Sequence, residues 1–352
     1  MNMSKLIDLY YNYCLNGWLP ESSKEYISTL DQERAFKEKI LPMLVYSTGE
    51  INNEHLRIEQ EKKEKSIVLN EISNSSLLKN SVLVLKGLSV ERFYHANATR
   101  FAFDADLVAL EEHLPQLDEL LKRHSYDIYS STPWIKDVVS NKVFKSFRYT
   151  KGPDDDRGFE IHIEHYPIDD NGSRILLQSL YSGCYNTILN DTSVNVVSDL
   201  NAILIMLIQI YYKKYLTVRD FVDLVILLEN SDFHACKHTV KTLVVSQNLG
   251  SAFSKLREYV YNNRIDLAKY PSGSSILELT EWEINSGSKV EDTVSLSIAG
   301  DSSSKELFDK GVPISFYRPS ATEVIDDSNC FKVETNIGTF YGQSEGDFLI
   351  YE

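Results

Sequence analysis

No apolar run in this chain approaches the ~18 residues that a membrane-spanning helix needs. The longest, Ala202 to Ile210, stops at a Tyr-Tyr-Lys-Lys sequence. The N-terminus lacks a basic region followed by an apolar block, so no secretory signal is visible there. Cysteine is scarce: Cys14, Cys184, Cys236 and Cys330 are scattered without metal-ligand spacing, which reads as reduced thiols in a cytoplasmic protein. Positive charge is in deficit, with a formal net charge of −15. That weighs against a large nucleic-acid footprint, because neutralising phosphates needs a basic face. It leaves room for a local basic pocket inside an acidic protein. No internal repeat is present.

What is there suits a large folded protein. A chain of 352 residues can bury a sizeable core and divide into two or three domains. Hydrophobic residues make up 43% and charged residues 25%, the balance of an ordinary folded chain. The 21 tyrosines are spread along the sequence and read as packing residues. The first region, residues 1–80, reads as helical, from the spacing of Leu6, Leu9, Tyr10, Tyr13 and Cys14. A second helix is expected from Asp31 toward Met43, with Pro42 near its end. A long charged one is expected from Glu54 to Leu78, with Ile67, Val68, Ile72 and Leu77 as its buried stripe.

Residues 81–172 change character. Val82 to Leu85 reads as a short strand ended by Lys86-Gly87, and Ser89 to Tyr94 as a short helix. Phe101 to Leu110 reads as a strand, Leu114 to His124 as a helix, and Tyr126 to Tyr129 and Val143 to Tyr149 as strands. Lys151 to Gly158 is rich in turn residues. Phe159 to His165 alternates strictly, so Glu160, His162 and Glu164 share a face. Helices dominate 173–270, most clearly Asp199 to Tyr212 and Arg219 to Glu229. Residues 271–352 are punctuated by Ser272-Gly-Ser-Ser275 and Ser286-Gly-Ser288. Short alternating runs follow at 293–298, 314–317, 331–335, 339–341 and 348–351, the pattern of a β-rich C-terminal module standing as a separate unit.

The chemistry gathers around Asp104-Ala105-Asp106-Leu107. Two carboxylates one residue apart on a strand point the same way. Acids aimed together repel unless a cation sits between them, which makes the pair a candidate Mg²⁺ site. Lys86-Gly87 upstream and Arg100 between could hold a phosphate chain against that metal. Glu160 is the candidate third acid. His162, on its face, could orient a ligand or relay a proton. Each has a plainer alternative: Arg100 as a salt bridge to Asp104 or Glu91, Lys86-Gly87 as an ordinary turn, Glu160 and His162 as strand surface. Asp169-Asp170 compete with Glu160 but follow Pro167 and look like turn residues. Asp154 to Asp156 read as a solvated turn. Lys213, Lys214 and Arg219 either face a cleft or complement a helix C-terminus.

Taken in order, Leu85-Lys86-Gly87, Tyr94, Arg100, Asp104-Ala-Asp106-Leu107, Glu160-Ile-His162, Arg219-Asp220 and Asp223-Leu224 resemble the bacterial uncharacterised nucleotidyltransferases of the polymerase-beta-like superfamily. The resemblance covers roughly residues 1–230. It implies an α+β fold: a mixed sheet flanked by helices, with helical domains before and after it. In that superfamily an Asp-x-Asp pair and a third acid hold two Mg²⁺ ions. Carried over by position, the metal acids are Asp104, Asp106 and Glu160, with His162 as an alternative relay. Lys86, Gly87, Ser89 and Arg100 fall on the side of the triphosphate. The superfamily often has Gly-Ser at the turn, whereas here Leu88 stands between Gly87 and Ser89. The implied reaction moves a nucleoside monophosphate from an NTP to an acceptor and releases pyrophosphate. A small molecule or peptide suits the acidic surface better than tRNA. A toxin-like transferase acting on tRNA or protein, and a non-catalytic scaffold with a degenerate site, are the alternatives. The acceptor, the preferred nucleotide and the oligomeric state are not legible.

Overall fold

The computed structural model describes residues 2–49, 53–100, 102, 104–130, 132–138, 140–155, 157–163, 165–167, 174–189, 191–246, 250–282, 304–311, 314–319 and 331–342. The runs expected as strands at 293–298 and 348–351, and the residues Phe101, Asp156, Glu164, Asp169, Asp170, Ser286, Ser288 and Cys330, lie outside these. Among the described residues, no helix is long and apolar enough to cross a membrane.

The chain folds into two compact units, each assembled from three stretches. One comprises Met1–Ile67, Leu85–Ala102 and Tyr185–Gly287; the other comprises Val68–Val84, Phe103–Cys184 and Ser288–Glu352. In chain order the strands are β1 (Val82–Val84), β2 (Asp104–Ala109), β3 (Asp127–Ile128), β4 (Thr132–Lys136), β5 (Val143–Thr150), β6 (Gly158–Ile163), β7 (His165–Pro167), β8 (Arg174–Leu176), β9 (Tyr185–Leu189), β10 (Thr192–Val196), β11 (Ile314–Tyr317), β12 (Phe331–Thr335) and β13 (Gly338–Gly342).

The second unit is built on a mixed sheet. Its strands run in the order β12-β13-β11-β4-β5-β6-β2-β1, with β3 paired to β5 and with β7-β8 as a separate pair. The pairing of β2 with β6 is parallel, whereas β1–β2 and β5–β6 are antiparallel. From Ala105 to Ala109 every residue of β2 is buried, as a strand covered on both faces requires. The tail strands extend this sheet: Ile314 pairs with Trp134 and Phe316 with Thr132. Their aromatic side chains help to form the unit's core. Trp134 stacks on Phe316 at 4.6 Å between centroids and meets Phe340 at 5.0 Å, and Phe147 meets Phe340 at 5.3 Å.

The first unit is mainly helical. Helix Val218–Glu229 is buried on every side from Val218 to Leu228 and begins with a capping box between Thr217 and Asp220. Helix Met3–Asn16 buries Leu6, Leu9, Tyr10, Tyr13 and Cys14, the residues its spacing singled out. A short helix, Lys86–Glu91, starts at the Lys-Gly pair itself rather than after it, and ends before Tyr94.

Several expectations change. Pro42 opens a helix, Leu41–Thr48, rather than closing one; the preceding helix ends at Lys37. A proline is tolerated in the first turn, where its missing N–H has no partner to lose. The long charged helix spans Asn53–Asn74, so Leu77 falls beyond its end. Ile58, Lys65, Val68, Leu69 and Ile72 form its buried stripe, and Ile67 is exposed. The stretch Ser272–Ser275 begins helix Gly273–Glu281 instead of breaking the chain into strands. Within the region read as helical, β9 and β10 form a hairpin in which buried Thr192, Val194 and Val196 alternate with half-buried Ser193 and Asn195.

Candidate functional site

The acid-bearing strands stand side by side. In the parallel β2–β6 pair, Asp104 lies opposite Gly158, Asp106 opposite Glu160, and Val108 opposite His162. With a side-chain period of two, this register puts Asp104, Asp106, Glu160 and His162 on one face. Three of them converge. Asp106, Glu160 and His162 each offer one ligand atom, and these atoms lie within 4.8 Å of one another. The His162 Nε2 is 3.7 Å from Asp106 Oδ1 and 3.6 Å from Glu160 Oε1. The Asp106 and His162 side chains are buried at 7% and 1% exposure, while Glu160 keeps 30%. Glu160 is therefore the member of the group that meets solvent.

Asp104, expected as the first of three converging acids, is not in this group. It starts the strand, partly exposed, one pair along and level with a glycine. His162 takes the third place. The alternation of Glu160-Ile-His162 was the signal for this, since it sets carboxylate and imidazole on one face. Two carboxylates and an imidazole within this span form a donor set that a divalent cation can take. The imidazole widens the range of ions beyond the all-oxygen preference of Mg²⁺ toward Mn²⁺.

The four residues expected on the phosphate side belong to the first unit. Lys86 is half-buried and has φ 47°, a left-handed conformation that a lysine adopts only at some cost in strain. Gly87 is required by close approach: a Cβ there would lie 2.0 Å from Arg100 Nη1 and 2.2 Å from its Cζ. Ser89 is buried, and its hydroxyl donates to the Lys86 carbonyl at 2.6 Å. Arg100 is also buried. Its Nε and Nη2 donate to Asp223 Oδ2 at 3.1 and 2.8 Å, and the Tyr94 hydroxyl donates to Asp223 Oδ1 at 2.6 Å. Burial works against the Arg100 charge, but the Asp223 carboxylate more than restores it and raises the pKa. The salt bridge weighed for Arg100 thus exists, with Asp223 as partner instead of Asp104 or Glu91. Glu91 pairs with Lys62 at 2.8 Å.

The remaining candidates separate. Lys213 and Arg219 both reach Asp220 Oδ1, at 2.5 and 3.3 Å, while Lys214 is exposed. Asp154 sits exposed in its turn, and Asp155 accepts from the Arg157 N–H at 3.1 Å. Asp223 and Tyr94 were noted only as part of a pattern; their burial together with Arg100 is what the fold adds.

A family model described as an uncharacterised nucleotidyltransferase matches residues 73–260, more than half of the chain, and spans all the residues just placed from Lys86 to Asp223. No curated protein matches the chain.

Proposed function

Because the chain belongs to the uncharacterised nucleotidyltransferase family, we propose that it moves a nucleoside monophosphate from an NTP to a small-molecule or peptide acceptor, in a divalent-metal-dependent reaction that releases pyrophosphate. The observation that carries this reading is the convergence of Asp106, Glu160 and His162 on neighbouring parallel strands. We assign the sheet to the polymerase-beta-like type, in keeping with its mixed strand order and its acids on paired central strands. Asp106, Glu160 and His162 hold the metal, Mg²⁺ or Mn²⁺, and Asp104 on the same face is assigned to a second ion. When bound, such ions offset charge on the phosphoryl group and lower the pKa of an acceptor hydroxyl.

The chain's own groups supply the rest. Glu160, the most exposed member of the group, receives the acceptor's proton, with Asp106 as the other carboxylate able to do so. His162, buried beside both, orients them and can pass the proton on. Lys86, Gly87, Ser89 and Arg100 are assigned to the triphosphate by their place in the motif. The Arg100–Asp223 pair makes Arg100 a fixed and fully charged donor. A net charge of −15 suits a compact acceptor better than a nucleic acid, whose phosphates need a basic face.

The test is incubation of the full chain with each NTP labelled at the α-phosphate, Mg²⁺ or Mn²⁺, and pools of small molecules and peptides. Mass spectrometry should find an acceptor heavier by one nucleoside monophosphate. The product should be missing with Asp106→Asn. Cleavage to free nucleoside diphosphate and phosphate, with no adduct, would instead mark a phosphatase-type reaction.

A further inference from the structure

Two helices of the helical unit, Ser251–Asn262 and Gly273–Glu281, border a cavity of about 420 Å³. That volume falls within the range of small-molecule pockets, roughly 300–1,000 Å³. Arg257, Val260, Tyr261, Arg264, Ile265 and Thr280 line it. Val260, Ile265 and the Tyr261 ring give it an apolar surface, and Tyr261 is 80% exposed, a large ring left standing at the rim. The Thr280 hydroxyl donates to the Leu277 carbonyl at 2.7 Å. The side-chain polar groups left for a ligand are then those of the two arginines and the Tyr261 hydroxyl.

Neither guanidinium is neutralised by the protein. Arg257 donates through Nε to the Thr280 carbonyl at 2.6 Å, which fixes the group at the cavity. Its two terminal nitrogens have no hydrogen bond or ion pair among the described residues, and the Arg264 side chain has none there either. A chain with 51 acidic residues against 36 basic ones has carboxylates enough to pair both. Glu258 and Glu281, exposed and next in sequence to Arg257 and Thr280, pair with neither.

The backbone singles out the same residue. Helix Ser251–Asn262 is capped by Asn263, and Arg264 follows with φ 51°. The Arg264 N–H donates to the Tyr261 carbonyl at 3.0 Å and the Ile265 N–H to the Val260 carbonyl at 3.0 Å. Glycine is the usual residue at this left-handed closing position, because a Cβ costs on the order of 1 kcal/mol there. A cation does complement a helix C-terminus, but one in the last turn with an ordinary φ serves that purpose. Here the strained residue is one whose side chain lines the cavity.

The lining's chemistry names the occupant. A guanidinium is a planar fork that meets a carboxylate with two parallel hydrogen bonds. The apolar remainder suits a hydrocarbon or aromatic body. A phosphate dianion would bring more charge into an apolar cavity and lose more hydration than a carboxylate. We propose that this cavity binds an amphipathic organic carboxylate, its charge held by Arg257 and Arg264 and its aryl or short alkyl body resting on Val260, Ile265 and the Tyr261 ring. The site lies wholly within the helical unit, goes beyond the transfer reading and does not require it.

The experiment is a ligand-detected NMR titration of the full chain with 3-phenylpropionate, octanoate, the neutral 3-phenylpropan-1-ol and phenyl phosphate. The wild type should bind at least one of the two carboxylates saturably, with a Kd below about 1 mM, and the alcohol at least about tenfold more weakly. Arg264→Gly should lose at least about tenfold in carboxylate affinity while melting no lower than the wild type at pH 7, since it relieves the strained φ. Arg257→Gln should lose as much, and Arg264→Gln serves should the glycine variant unfold early. Lys214→Gln, at an exposed lysine elsewhere in the unit, should bind as the wild type does. Asp106→Asn should also bind normally, so a failed transfer assay and a failed carboxylate site remain distinguishable. Wild-type affinity in either arginine variant, equal affinity for the alcohol, tighter binding of phenyl phosphate, or no saturable carboxylate binding up to about 10 mM overturns the proposal.

Discussion

Single side chains decide the chemistry, and the buried ones are the more informative. Asp106→Asn is expected to lower transfer by about 10²-fold or more, read as pyrophosphate released per enzyme. The fold should be no less stable, because a carboxylate is removed from beside Glu160 and the like-charge repulsion goes with it. Thermal melting without metal checks the second half. Asp220 should behave in the opposite sense. Burial opposes its ionisation, yet Arg219 and Lys213 hold its carboxyl well below the usual carboxylate range. A depressed folded-state pKa contributes stability that is complete above the unfolded value, roughly 3.9, and is lost as pH falls below it. Asp220→Asn should therefore destabilise the protein at pH 7, by about 3–5 kcal/mol for a broken buried pair. It should also flatten the stability profile below about pH 4. Denaturant titrations at a series of pH values would show both. Gly158→Ala tests the strand beside Asp104: the added Cβ would lie 1.8 Å from the Tyr149 carbonyl oxygen, a backbone atom that cannot rotate away. Its cost should exceed that of Gly87→Ala, where the obstacle is the Arg100 side chain.

Elements were legible in proportion to how local their causes are. Helix Asp199–Tyr212 and strands Ile314–Tyr317 and Phe331–Thr335 carry their own periodicity and fall where that periodicity puts them. The shared face of Asp106 and Glu160 follows from alternation along two strands, although their parallel pairing is a tertiary fact. β4 was missed: Pro133 interrupts its pattern, and the strand is stabilised by long-range partners on β5 and β11. Helix Gly273–Glu281 was missed because its Ser-Gly start looks like a linker, whereas tertiary packing buries Gly273, Ser275, Ile276 and Leu279. The Arg100–Asp223 pair spans 123 positions and leaves no local trace. The tail is the largest change in meaning. In sequence it reads as a separate module; in the fold its strand β11 pairs with β4, and Phe316 and Phe340 are fully buried. Phe316→Ala should cost about 3–5 kcal/mol, measured by denaturant unfolding. Truncation after Lys269 should yield an insoluble or molten second unit, checked by solubility and near-ultraviolet circular dichroism.

For the molecule as a whole, no single stretch of chain makes either unit. Each is stitched from three segments, so the cores could not be read as consecutive blocks. The net charge of −15 and the Asp106, Glu160 and His162 group both suit the proposed transfer of a nucleoside monophosphate through a metal. The central claim is that Asp106, Glu160 and His162 take up a divalent ion. The most direct measurement is Mn²⁺ binding followed by electron paramagnetic resonance, with and without a non-hydrolysable NTP, in the wild type and in Asp106→Asn, Glu160→Gln and His162→Phe. The account predicts saturable binding by the wild type, tightened by the nucleotide, and a loss of about tenfold or more in affinity for each variant. Unchanged Mn²⁺ affinity in Asp106→Asn and Glu160→Gln would contradict it.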